Sequence, residues 1–258
     1  MRPEVAGNWL EACLNGHRRA SEHRALPVHP PEVARSAISC REAGAFLAHV
    51  HPRDERGAES LLPRHVSAAV RAVRAAAPEM LVGISTSETI EGNLTRRLRA
   101  IASWEDRPDF ATVNWYEKDA DETASLLVLQ GVAVQAVLAT VGDVRRMLRS
   151  PLGAQCRVMV VGPREEEPEA ALRTAQAILA VLDEAVPTVP RLVHGHDATT
   201  WPLLHLAIER GYLARIGMED TLLLPGGERC NDNAQLVRLA QGMATDLRSV
   251  GPEDGPGD

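Results

Sequence analysis

Short apolar runs alternate along this chain with longer segments in which apolar residues recur every three to four positions. The runs "WLEACLN", "AFLAHVH", "MLVGIST", "FATVNWY", "VAVQAVLA", "CRVMVVG", "PRLVHG" and "LARIGME" read as strands. From Pro30–Pro31 to Gly44, Val33, Ala37, Ile38 and Ala43 share one face, with proline at the first turn and glycine at the end. That combination predicts a helix. "RHVSAAVRAVRAAAP" repeats the pattern through Val66, Val70 and Val73, and "NLTRRLRAIASW", "EAALRTAQAILAVLDEA", "TWPLLHLAIERG" and "NAQLVRLAQGMATDL" carry similar stripes. Eight strand–helix units with no break in composition argue for parallel strands in a single domain, and eight is the number that closes a (β/α)8 TIM barrel. A doubly wound open sheet is the competing architecture, but no GxGxxG follows the first strand. The barrel is expected over residues 1–250, with "GPEDGPGD" (251–258) as a disordered acidic tail.

Composition narrows the class. The 258 residues are 45% hydrophobic but only 3% aromatic, so a core must be built from Leu, Val, Ile and Ala. A net charge of −7, without basic runs, argues against a nucleic-acid partner. Cys13, Cys40, Cys156 and Cys230 are scattered, as reduced and packed thiols would be. No apolar segment opens the chain, and no run reaches the length of a membrane span, so a cytoplasmic protein with no membrane contact is expected.

In such a barrel, chemistry collects where strands end. Asn15 follows strand one, His49 and His51 lie on strand two, and Ser85 and Thr86 on strand three. Asn114 belongs to strand four, His194 and His196 to strand seven, and Arg215, Glu219 and Asp220 to strand eight. Strands five and six add mostly apolar residues. Polar groups gathered at one end need partners or a purpose. In "FLAHVHPRD" two histidines one residue apart share a strand face, followed at once by an arginine and an aspartate. Two imidazoles and a carboxylate make a catalytic divalent-metal set. Glu219 is the best-placed carboxylate; Asp220 competes for that place, and His194 or His196 for a further one. His17, His23, His29, His65 and His205 read as surface or loop residues.

"AHVHPRDERG", "GISTSE" and "ARIGMEDTLLLPGGERCNDNAQLVRLA", in that order, resemble the β-keto acid cleavage enzymes, as does "ACLNGHR…ALPVHPPEVARSA". The resemblance covers about residues 9–245 and is strongest at strands two and eight. It implies a (β/α)8 barrel holding zinc (Zn2+), which converts a β-keto acid and acetyl-CoA into acetoacetate and a new acyl-CoA by a retro-Claisen route. It further implies His49, His51 and Glu219 as zinc ligands, Asp220 as acid/base, Arg215 as the cation beside it, and Ser85 as a holder of the substrate. Thr86, Asn114 and Asn15 are expected to join the substrate pocket, and a homo-oligomer is the expected assembly.

The chemistry agrees with that resemblance. Cleaving a carbon–carbon bond beside a ketone leaves an enolate, whose charge needs either a lysine Schiff base or a Lewis-acid metal. Lys118, the only lysine, lies in acidic "EKDADE", a poor setting for a nucleophile. Departures from the family bear on the substrate. Arg18 stands where some members place a glutamate that reads an ammonium group, so a neutral or anionic distal end is expected. Asn114 and Trp115 replace threonines at strand four, and "HGHDATTW" is unlike the best-known members. A metal-dependent hydrolase or aldolase working without CoA is the alternative. A barrel that binds without turnover is a third reading, disfavoured by the intact ligand set.

Overall fold

The computed structural model describes residues 9–249. Eight strands are hydrogen-bonded in chain order into a closed parallel barrel: β1 (Leu10–Cys13), β2 (Leu47–Val50), β3 (Leu81–Ser85), β4 (Phe110–Asn114), β5 (Ala133–Leu138), β6 (Cys156–Val161), β7 (Arg191–Val193) and β8 (Leu213–Ile216). Eight helices return the chain from each strand to the next: α1 (Pro30–Glu42), α2 (Pro63–Ala76), α3 (Leu94–Ala102), α4 (Ala120–Leu129), α5 (Val141–Arg149), α6 (Pro168–Ala185), α7 (Thr200–Arg210) and α8 (Asn233–Ser249). The protein is therefore a (β/α)8 TIM barrel. The acidic tail lies outside the described residues.

Local chemistry fixes the helix starts. Prolines open α1, α2 and α6, where their missing N–H costs nothing. Asn93 accepts from the Arg96 amide at the head of α3, and Thr140 and Asp143 cap α5 reciprocally. The outward faces of the strands pack against the buried stripes of the helices, Val66, Val70 and Val73 of α2 among them. All four cysteines are free and buried. No helix among the described residues is long and apolar enough to cross a membrane.

Closure matters most for function. Glu11 of β1 is level with Arg215 of β8, while Cys13 of β1 is level with His49 of β2. Residues more than 160 positions apart in sequence thereby become neighbours across three adjacent strands. The interior is also more polar than the apolar reading of strand five suggests. Alternation turns Gln135 inward, where its amide donates to Glu11 Oε2 at 2.9 Å, and both side chains are buried. Burial pushes the Glu11 carboxyl up to about 7.

Candidate active site

A cavity of about 1040 Å³ opens at the C-terminal ends of the strands. His49, His51, Ser85, Asn114, His194, His196, Arg215, Glu219 and Arg18 line it. The strands end earlier than the sequence pattern suggests. His51, Thr86 and His194 each lie one residue past a strand, and Glu219 sits in the turn after β8. That turn closes through the Asp220 and Thr221 amides, both donating to the Gly217 carbonyl, and it lifts Glu219 and Asp220 to the mouth.

His49 Nε2 and His51 Nε2 lie 3.8 and 3.7 Å from the same oxygen, Glu219 Oε2. That oxygen is buried and has no hydrogen-bond partner, whereas Oε1 accepts from Arg215 Nη2 at 2.7 Å. Three ligand atoms of one tetrahedral divalent ion, each bonded at about 2.0–2.2 Å, stand about 3.4 Å apart. The cluster therefore fits a shared cation with small adjustment, and the orphaned oxygen is what such an ion would satisfy. Burial would raise the Glu219 carboxyl, but the positive surroundings, Arg215 foremost, outweigh it and hold the group well below its ordinary value. Burial pushes His49 down to about 3, so its imidazole is neutral, as a metal ligand requires.

The neighbours of His51 explain the rest of "HPRD". Arg53 donates to the carbonyls of Gly16, Arg18 and Gly57, tying the loop after β1 to the loop after β2. Asp54 Oδ1 accepts from the Arg56 and Ala58 amides at 2.9 Å, turning the chain back so that Glu59 bonds His51 Nδ1. A carboxylate behind an imidazole fixes its tautomer and leaves the opposite nitrogen free to ligate. Glu59 carries no local pattern in the sequence, since the contact depends on the turn. Gly16, at φ +55°, lets this loop approach: a Cβ there would lie 2.3 Å from Glu219 Cγ.

Asn15 and Thr86 take other places than the pocket wall. Asn15 exchanges hydrogen bonds with the His51 backbone and donates to the Pro27 carbonyl, and Thr86 donates to the Thr112 carbonyl at 2.7 Å. With their polar atoms engaged on backbone, both brace the walls. Ser85 and Asn114 do face the cavity, and β4 contributes a threonine after all, Thr112. Asp220 is wholly buried; its Oδ1 accepts from Arg215 Nε and Nη2 at 3.2 and 2.8 Å. Burial raises its carboxyl, and Arg215 together with His194 more than offsets that, holding it ionised.

Arg18 Nη2 reaches Asp197 at 2.6 Å, Nη1 reaches Glu22 at 3.3 Å, and Nε donates to the Glu219 carbonyl at 3.3 Å. Its charge is thus already paired at the rim. Asp197 is the only non-glycine with positive φ (46°) among the described residues, a conformation aspartate tolerates better than most. The opposite rim carries Tyr116, Arg164, Glu165 and Glu166, with the Arg164 guanidinium 5.0 Å from the Tyr116 ring centroid. These loop residues lack periodic neighbours, so the sequence gives no signal for them. Lys118 is exposed and does not line the cavity. Of the histidines expected as surface or loop residues, His23 lies in the loop after β1 but is buried, bonding the Cys230 carbonyl, and His65 is buried on α2, where it bonds Ser60. His17 is exposed at the cavity rim, His29 precedes α1, and His205 pairs with Glu209 on α7.

A model of the beta-keto acid cleavage enzyme family matches residues 8–250 of this chain. The chain is 22% identical over 255 residues to a 3-keto-5-aminohexanoate cleavage enzyme of Fusobacterium nucleatum, covering 92% of this chain and 91% of that protein. A solved ternary complex of ObcA with a C4-CoA adduct and oxalate superposes with a TM-score of 0.72 at 15% identity, covering 87% of this chain. This chain spans 64% of the ObcA chain. A 3-dehydroquinate dehydratase from Geobacillus kaustophilus reaches a TM-score of 0.62 at 13% identity, over 95% of this chain and 93% of that one. At such identities the structural likeness is one of fold alone.

Proposed function

This chain belongs to the β-keto acid cleavage enzyme family, and from that premise we propose that it converts a β-keto acid and acetyl-CoA into acetoacetate and an acyl-CoA. The observation that carries the reading is the buried, unpartnered Glu219 oxygen facing two imidazole nitrogens at 3.7 and 3.8 Å. His49, His51 and Glu219 would hold zinc there. Bound at that place, zinc supplies a Lewis acid for a substrate carbonyl oxygen.

The chain's own groups do the remaining work. Arg215 bonds both Glu219 and Asp220, so one guanidinium keeps two adjacent carboxylates ionised. Asp220 with Arg215 forms the acid/base centre that moves the substrate's proton. Ser85 and Asn114, on the facing wall, offer a hydroxyl and an amide to the substrate carboxylate. The exposed Lys118 is outside the cavity, which leaves no lysine to form a Schiff base. The names of the similar proteins support a keto acid and a CoA thioester as the reactant classes.

The test is a panel of β-keto acids incubated with zinc-replete protein and acetyl-CoA. Acetoacetate formed only when acetyl-CoA is present is the expected result. Release of a free acid without CoA would replace acyl transfer with hydrolysis.

A further inference from the structure

The loop after β4 carries a buried carboxylate that the reaction itself does not call for. Glu117 follows Asn114 by three residues, and its amide donates to the Asn114 carbonyl at 3.0 Å in a tight turn. It is buried, yet unlike Asn114 and Ser87 it does not line the cavity. One of its oxygens, Oε1, accepts from Asn114 Nδ2 at 2.7 Å, from Ser87 Oγ at 3.1 Å and from the Glu88 amide at 3.1 Å. A backbone amide can only donate, so Oε1 is an acceptor and must meet the N–H end of Asn114. The Asn114 side chain is therefore held in one of its two amide orientations.

We propose that Glu117 is a positioning residue for the substrate carboxylate: it takes one Nδ2–H of Asn114 and leaves the other aimed at the cavity. The inference rests on the proposed β-keto acid chemistry, in which Asn114 meets that carboxylate, and names the group that sets its presentation.

Three features support the assignment. First, the second N–H is unspent: Nδ2 donates to no other group among the described residues, and Asn114 lines the cavity. Second, the same carboxylate sorts the hydroxyls of this wall. Ser87 gives its single hydroxyl hydrogen to Glu117, while its oxygen accepts from the Thr89 amide at 3.2 Å. The Ser85 oxygen accepts from the Ser87 amide at 3.4 Å, and its own hydrogen is kept for the substrate. A carboxylate needs donors, and this network leaves Ser85 and Asn114, but not Ser87, with a hydrogen to give. Third, the loop is gripped from two helices. Arg97 of α3, wholly buried, has Nη1 3.6 Å from Glu117 Oε2 and Nη2 bonded to Asp119. Arg146 of α5 donates to the carbonyls of Trp115, Glu117 and Lys118. The carboxylate thus holds its place before any substrate arrives.

Glu88, Glu117 and Asp119 also approach one another as metal ligands would. Arg97 opposes that use, because its guanidinium already lies against Glu117 and Asp119 and would meet a second cation at close range. The same arginine decides what a glutamine could do here. A carboxylate offers an oxygen on each side, one toward Arg97 and one to the Asn114, Ser87 and Glu88 donors. Glutamine has a single oxygen, so its NH2 must face donors on one side or the other. Glu117→Gln therefore keeps the shape and breaks the arrangement.

The test reads binding apart from acyl transfer. Acetoacetate, itself a β-keto acid and the proposed product, is titrated into zinc-loaded protein without CoA, and its Kd is measured by calorimetry. Glu117→Gln should weaken binding about 3–10-fold, the worth of one hydrogen bond, with zinc content unchanged. Asn114→Ala should weaken it likewise, and the double variant no further, because Glu117 acts through Asn114. A measurement on the wild type guards against variants that fail to fold. With isotope-labelled asparagine, NMR should find one Asn114 Nδ2 proton downfield and slow to exchange, and acetoacetate should shift the other. Wild-type affinity in Glu117→Gln, additive losses in the double variant, or acetoacetate that moves neither proton would overturn the assignment. The expected pattern without any acetyl-CoA-dependent acetoacetate formation from other β-keto acids would instead overturn the acyl-transfer reading and leave Glu117 in its role.

Discussion

Two clusters in this cavity use the same parts: a His-x-His pair and one carboxylate from the turn after β8. In one, His49 and His51 approach Glu219; in the other, His194 and His196 approach Asp220. The difference lies in ring orientation and in what already holds the carboxylate. The first pair faces its carboxylate through Nε2 and finds an oxygen with no other partner. The second faces through Nδ1 and finds the oxygen that Arg215 occupies. An unclaimed oxygen among imidazole nitrogens suits a cation, whereas one that already accepts two guanidinium N–H groups has less to offer it. Residue type alone does not separate the two; the side on which each ring is presented does.

The largest expected effect separates the clusters outright. Removing one of the three proposed ligands leaves too few for a catalytic metal site, so His49→Ala and Glu219→Ala should fail to bind zinc and lose cleavage, while His196→Ala should bind zinc as the unaltered protein does. Elemental analysis of the purified variants decides this, and zinc lost from His196→Ala would merge the two clusters into one site. Next, Asp220→Asn should retain zinc and lose about 10²–10⁴-fold in kcat, because an amide matches the shape without the charge. Normal turnover in Asp220→Asn would remove it from the proposed acid/base centre. Smaller still, Glu59→Gln should weaken zinc affinity about 10–100-fold by loosening His51, measured by competition with a chelator. An unchanged affinity would make the His51–Glu59 bond merely structural. The smallest effect belongs to the rim. Arg18→Glu should shift kcat/KM toward amino-bearing β-keto acids by about 1 kcal/mol, since Glu22 and Asp197 already neutralise much of the guanidinium's field. A ratio equal to wild type would place Arg18 outside substrate recognition.

Much of this was legible in the sequence, and the gaps follow a pattern. Strand runs and helical stripes suffice for the barrel because inward and outward faces differ so strongly in polarity. The His49–His51–Glu219 cluster is legible because the histidines keep strand spacing and a closed barrel makes strands two and eight near neighbours through strand one. Helices α4 and α5 are harder to read. α4 buries Ala120, Thr123, Ala124 and Leu127 while exposing Leu129, and the nine-residue α5 buries only Val144 and Met147. Glu59 and Asp197 reach the site through turns, which leave no periodic trace. Asn15 and Thr86 sit at strand ends as pocket residues would, yet backbone groups within reach take up their polar atoms. Position along a strand says which end a side chain occupies, not which partner reaches it first.

The ion pair between Arg18 and Asp197 joins the loop after β1 to the loop after β7, segments 179 residues apart in sequence, above the turn that carries Glu219. Those loops are therefore physically coupled. An exchange of the first loop for that of a relative reading a different substrate would strand Asp197 in its uncommon backbone conformation without its counter-charge. An exchange of the seventh alone would free Arg18 from its shortest ion pair. Redesign of this pocket toward new acyl groups should accordingly transplant both loops together and treat the rim as a matched pair rather than as separate sites for variation.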